Sequence, residues 1–342
     1  MKVRSPVIPA VSDSLAPSDG ERVGVRGSLR SAILRLIAIL ALASVVPAAD
    51  SNHRAPKSEE DLNRWLAIMR QHHFTVAEMN AATGLSEPEI ESALRKLPQQ
   101  PQHDLKRGST APLLVLPYPG GRHPRIGFLE GAIDPQRETK LSIFTPWEDG
   151  SYVVADVPEA IWSNLGLTYL AHTHIPTIWT QQKTELPPLE WTRLANGDYR
   201  MERTLPNGIR FGTLARSTPE AVFMKMWLSN GTAKALSDLR VQNCVMLKGA
   251  KGFNEQTNDN KIMRGPFAAC KSADGKRWVI TAWKPLHRAW ANAPVPCLHS
   301  DPKFPDTPPG ATSVLHGLVT FYEGTEIEAE FERLEKLWRE ID

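Results

Sequence analysis

The chain has 342 residues, 41% of them hydrophobic, which is enough to bury a large core and excludes wholesale disorder. Its formal charge of +2 is an N-terminal effect: residues 1–48 hold six Lys/Arg and three Asp/Glu of the totals of 40 and 38, leaving 34 against 35 from Ala49 onward. A remainder near −1 offers no electrostatic footprint for nucleic acid or an anionic membrane, so neither is an expected partner.

Residues 30–49 read RSAILRLIAILALASVVPAA, with basic Arg30 and Arg35, an apolar run from Leu36 to Val46, and then small residues. That is the pattern of a secretory signal, and the run is too short for a stable membrane span. Val46 and Ala48 fit the small-residue rule at −3 and −1, so cleavage is expected after Ala48. Residues 1–48 therefore read as a disordered lead and signal peptide, and the mature chain as periplasmic or secreted, with no membrane span left after cleavage. Export makes Cys244, Cys270 and Cys297 candidates for one disulfide and one leftover thiol, with the pairing open. No CxxC spacing occurs, which argues against a Cys-rich structural zinc site.

A helical pattern begins at Ser58, where Leu62, Trp65, Leu66 and Met69 recur at i, i+3, i+4 and i+7. A second helix is predicted from Thr75, with Glu78 three residues on, to Gly84. A third runs from Ser86, with Glu89 three on and an apolar face of Ile90, Ala93, Leu94 and Leu97. The stretch FTVAEMNAATGLSEPEIESALRKL resembles the helix-turn-helix of bacterial regulators, chiefly at Gly84-Leu85-Ser86. That resemblance implies a third helix in the major groove, yet its first exposed residues are Glu87, Glu89 and Glu91, which phosphates would repel. Residues 55–97 are thus expected to be a tri-helical structural or docking unit, joined by a proline-rich linker over 98–112.

From Leu113 the grammar changes to short β-type runs: LLVL, LSIF, SYVVADV and LTYLAHTH, then LEWTRL and DYRMERTL joined by Asn196-Gly197, a strong hairpin signal. IRFGTLAR, AVFMKMWL, LRVQNCVML, WVITAW and VLHGLVTFY follow, with Asn207-Gly208 and Asn230-Gly231 as further turns. Asn230-Gly231-Thr232 is formally a glycosylation sequon, but a hairpin turn is the preferred reading. So many strands with few helices between them predict antiparallel sheets in a sandwich over 113–342, closed by an amphipathic helix at 327–338. Ten tryptophans and 28 prolines suit such a loop-rich β architecture.

The segment AVFMKMWLSNGTAKALSDLRVQNCVML resembles part of the galactose-mutarotase-like super-sandwiches. The resemblance implies a mainly β super-sandwich fold and a carbohydrate substrate class. Residues 55–342 as a whole are also similar to secreted bacterial proteins without an assigned activity, which implies no reaction.

Strand alternation puts His172 and His174 of TYLAHTHIPTIW on one face, with Pro176 ending the strand at a sheet rim. Such a pair can act as acid/base groups or share a metal, but a metal needs a third ligand. His287 in WKPLHRAW and His299 with Asp301 in CLHSDP are possible donors, read as Pro-rich loops, and no acid follows closely before Glu185. The catalytic candidates are His172, His174 and Glu323, the last at the end of the final strand. Arg122, His123 and Arg125 in PYPGGRHPRIGFLEG form a donor cluster beside a Gly pair. In LRVQNCVML, Arg240, Gln242, Cys244 and Met246 share a face, and Arg240, Gln242 and His287 join the substrate-binding candidates. The expected function is an exported protein that binds or processes carbohydrate in a sandwich cleft, with no cofactor; if it is an enzyme, His/Glu acid-base chemistry of an epimerase, lyase or hydrolase would carry the reaction. The alternatives are a non-catalytic cell-envelope interaction module and a metalloprotein using His172 and His174.

Overall fold

Three helix starts carry the capping groups that the sequence places there. In the computed structural model, which describes residues 56–98, 110–119, 138–147, 150–171 and 175–339, Ser58 accepts from the Asp61 N–H at the start of α1 (Glu59–Gln71). Thr75 and Glu78 form a capping box on α2 (Val76–Thr83), and Ser86 with Glu89 on α3 (Glu87–Lys96). Gly84 ends α2 at φ 73°, the left-handed conformation a glycine adopts freely. Trp65, Leu66, Met69, Met79, Ala82 and Ile90 form the core of this small unit, and Glu87, Glu89 and Glu91 are exposed.

The β region comprises β1 (Val115–Pro117), β2 (Lys140–Phe144), β3 (Tyr152–Ser163), β4 (Gly166–Leu170), the single-turn α4 (Ile178–Gln181), β5 (Thr192–Arg193), β6 (Tyr199–Thr204), β7 (Arg210–Ser217) and β8 (Ala221–Ser229). It continues through β9 (Val241–Met246), β10 (Lys261–Arg264), β11 (Phe267–Lys271), β12 (Arg277–Lys284), β13 (Leu286–Trp290), β14 (Cys297–Pro302) and β15 (Thr312–Glu323), and ends with α5 (Ile327–Arg339). A seven-stranded sheet runs β1-β2-β3-β9-β14-β13, with β4 also on β3, and an eight-stranded sheet runs β10-β11-β12-β15-β8-β7-β6-β5. All pairings are antiparallel, as the alternating sequence runs predict.

The sheets close on one another as a sandwich. Leu141, Val153, Val245 and Leu298 of the first sheet share a core with Phe211, Met226, Val279 and Val319 of the second. On the outer face of the second sheet α5 packs as expected, its Phe331 stacked on Phe267 with centroids 5.1 Å apart. On the outer face of the first sheet the helical unit is seated through His72, fully buried, whose ring lies 5.4 Å from Phe144 and 5.3 Å from Tyr152. The described residues pack as one compact unit.

Two expectations change. Asn230-Gly231 is not a hairpin: β8 pairs with β7 and β15, and after Ser229 the chain crosses to β9 in the other sheet. Asn230 is buried and its amide donates to the carbonyls of Lys234 and Thr307, which ties down the sequon side chain. The strands β10, β11, β13 and β14 are additional to those predicted. FAACK is buried without alternation, and LHRAW and CLHSDP are flanked by prolines that read as loops.

Candidate functional site

A cleft of about 550 Å³ opens between the N-terminal half of α1 and the segment 184–190, floored by β4 and α4. Its charged lining is five carboxylates (Glu60, Asp61, Glu138, Glu185, Glu190) against Lys57 and Arg64. Two of the acids are held in place. Glu138 accepts from the Tyr169 hydroxyl at 2.9 Å and is 3.0 Å from Nη2 of Arg203. Arg203, 3% exposed, also donates to the Pro187 carbonyl at 2.9 Å, so one buried guanidinium anchors both the acid and the cleft wall. Glu190 is 3.2 Å from Nη1 of Arg64 across the cleft. Trp179 backs the cleft wall, 4% exposed, and donates its indole N–H to the Thr168 carbonyl. Burial, reinforced by Glu138, pushes the Tyr169 phenol well above its usual range and keeps it a donor.

A second constellation crosses the outer face of the seven-stranded sheet. The registers bring Lys140 level with Asp156, Asp156 with Cys244 and His299 with Trp290. The β9–β14 register, with Leu298 opposite Val245, carries on to place His299 beside Cys244. The result is a single polar row over five strands, buried except at Trp290. Lys140 Nζ is 2.9 Å from Asp156, whose other oxygen accepts from Thr139 at 2.5 Å. A bulge between Asp156 and Ala160 shifts the β3–β9 register and turns Glu159 onto this face, where it accepts from Gln242 at 2.8 Å.

His299 lies at the centre. Its Nε2 is 3.3 Å from the Cys297 sulfur, and its Nδ1 is 3.9 Å from both Glu159 and Asp301. Asp301 accepts from Arg288 at 2.8 Å, the Trp290 indole at 2.7 Å and the Asn243 backbone at 3.0 Å. Burial works against a charged imidazole, yet Cys297, Asp301 and Glu159 outweigh it and raise His299 to about 9. A hydrogen bond from Cys244, with His299 adding, holds the Cys297 thiol well below its usual value. All three cysteines are free; Cys270, on β11 in the other sheet, is pushed up to about 12 by burial.

The predicted site residues divide. His172, His174, Arg122, His123 and Arg125 lie outside the described residues; Leu170 and Ile175, which flank the histidine segment, line the cleft. Gln242 is buried, as is every residue of β9, and it meets Glu159 and Arg288. Arg240 pairs with Asp238 at 3.1 Å, and Lys303 reaches the same acid. His287 is exposed next to Arg288, its pKa lowered by partial burial and by Arg288, Lys303 and Arg240. Arg240, Gln242 and His287 are thus neighbours around the His299 constellation, not around the cleft. Glu323 does not join them. It closes β15 opposite Arg277, at the far end of β12 from Trp283, whose N–H reaches Ser300 in the other sheet. The strand between is roughly 20 Å long. Cys297, His299 and Asp301 stand at i, i+2 and i+4, a strand alternation that the prolines on either side masked.

Among the described residues no helix is long and apolar enough to cross a membrane. No family model matches the chain, and no curated protein does. Among solved structures it is similar to a protein named as a kojibiose phosphorylase, from the human microbiome, at 9% identity and a TM-score of 0.27, covering 38% of this chain and 18% of that one. It is also similar to the Slr1438 protein of Synechocystis sp. PCC 6803, at 10% identity and a TM-score of 0.32, covering 55% of this chain and 88% of that one. The chain thus spans less than a fifth of the first protein's length, and at these scores neither likeness carries weight for fold or ligand.

Proposed function

We propose that this is an exported protein whose cleft between α1 and β4 binds carbohydrate. The observation that carries the reading is a cleft of about 550 Å³ in which Glu138 and Glu190 are fixed acceptors beside the apolar side chains of Ile175, Leu186 and Leu189. That volume falls within the range of small-ligand sites. Rigid carboxylates accept from the hydroxyls of a sugar without reorganising, and Ile175, Leu186 and Leu189, each partly exposed, supply apolar surface for its C–H face. Five acids against two bases disfavour phosphorylated, sulfated or uronic-acid ligands, so a neutral sugar or an amino sugar fits best.

A glycan array with the purified chain tests the reading, followed by calorimetry on each hit and product analysis for turnover. Binding of neutral or amino-sugar glycans that falls at least about tenfold in Glu138→Gln is the expected result, since one charged hydrogen bond contributes roughly 1.5–3 kcal/mol. Absence of glycan binding, or binding confined to cationic peptides, overturns it. Recovery of a chain starting at Ala49 from the periplasm or medium tests export.

A further inference from the structure

We infer that Cys244, Cys297 and His299 bind one thiophilic metal ion, zinc(II) or copper(I), within the outer face of the seven-stranded sheet. The site shares no residue with the cleft. The two sulfurs and the imidazole nitrogen lie within 4.8 Å of one another, and Cys297 Sγ is already 3.3 Å from His299 Nε2. Bonds of about 2.3 Å to sulfur and 2.0–2.1 Å to nitrogen in a tetrahedron place donors roughly 3.5–3.8 Å apart, so an ion requires only small side-chain adjustments. The Cys244 thiol proton and the proton that Cys297 and His299 share would pass to solvent as the ion binds.

The surroundings supply what a metal-bound imidazole needs on its other side. Nδ1 has no hydrogen-bond partner among the described residues, and Asp301 and Glu159 stand 3.9 Å from it. A carboxylate behind the ligating histidine fixes its tautomer and raises its basicity. Asp301 is itself held by Arg288, Trp290 and the Asn243 N–H, so the support is rigid.

Two other uses of these residues fit less well. A disulfide needs Cα atoms no more than about 6.8 Å apart, whereas Cys244 and Cys297 are diagonal neighbours, since Cys297 is opposite Met246, and diagonal pairs stand roughly 7–8 Å apart. A nucleophilic thiol needs a free approach, but Cys297 and His299 are each 3% exposed and Trp290 covers the imidazole face. A soft ion satisfies both sulfurs without either requirement.

Titration of chelator-treated full chain with cobalt(II) tests the inference. One equivalent should give sulfur-to-cobalt charge-transfer absorption and tetrahedral d–d bands, displaced by zinc(II) or copper(I); whichever competes at lower concentration identifies the ion. Cys297→Ser and Cys244→Ser should each weaken binding by more than the roughly 10- to 100-fold that loss of a supporting outer group costs, and Cys270→Ala should not. Wild-type protein gives a readout that needs no variant: zinc should shield Cys244 and Cys297 from alkylation, mapped by mass spectrometry. No charge-transfer band, a band that survives Cys297→Ser, or native protein carrying a Cys244–Cys297 disulfide overturns the inference.

Discussion

The indole of Trp290 lies flat on the imidazole of His299, with centroids 3.8 Å apart and planes 10° from parallel, while its N–H donates to Asp301 at 2.7 Å. One side chain thus covers the histidine and holds the acid behind it. Trp290→Ala should cost about 2–3 kcal/mol, below the range for a fully buried tryptophan because Trp290 is partly exposed. Trp290→Phe keeps the stack and loses the hydrogen bond to the carboxylate, for about 1.5–2 kcal/mol. Urea unfolding measures both, and Cys297 should alkylate faster in the alanine variant only.

Lys140 and Asp156 form an ion pair in which both side chains are 0% exposed. Removing one partner leaves the other as an uncompensated buried charge. Lys140→Met alone should therefore cost about 3–5 kcal/mol, and Lys140→Met with Asp156→Leu should recover most of the loss. If the double variant is no more stable than the single in urea, the ion pair contributes more than its desolvation costs.

Alkaline stability should depend on Tyr169. Its folded phenol is raised well above the usual value, mainly by burial, whereas in the unfolded chain it titrates near pH 10. The folded state therefore keeps a proton that the unfolded state loses. The phenol's contribution is complete below about pH 10 and falls by roughly 1.4 kcal/mol per pH unit above it. Tyr169→Phe should remove that slope from unfolding curves taken on either side of pH 10. At neutral pH it should cost about 1.5–3 kcal/mol for the lost bond to the Glu138 carboxylate.

Gly317 of β15 faces Trp283 of β12 so closely that a Cβ would occupy the space of the indole. Trp283 is fully buried and its backbone N–H is bonded to Ser300, so it has nowhere to move. Gly317→Ala should destabilise by at least about 2–3 kcal/mol, the upper part of the range for overpacking. A melting temperature unchanged from wild type would contradict this.

What the sequence disclosed follows the range of the interactions involved. The caps at Ser58, Thr75 and Ser86 act over three residues, and each predicted helix starts where its cap stands. Alternation within LRVQNCVML likewise placed Gln242, Cys244 and Met246 together, because period two is local. The row from Lys140 to Trp290 is different: its members come from five strands, and the bulge at Glu159 changes which residues are level. No short-range rule encodes that register. Glu323 shows the same limit, since its place at the end of a strand said nothing about which sheet the strand would enter.

The seating of His72 between Phe144 and Tyr152 has a thermodynamic consequence. The helix that carries Asp61 and Arg64 is half of the cleft, so lifting the helical unit from the sheet would dismantle the cleft. Occupancy and seating are then linked equilibria: a ligand present at 100 times its dissociation constant would oppose undocking by about 2.7 kcal/mol. Helices that resemble a reader of DNA would instead act as the jaw of a clamp, closed in proportion to what it holds.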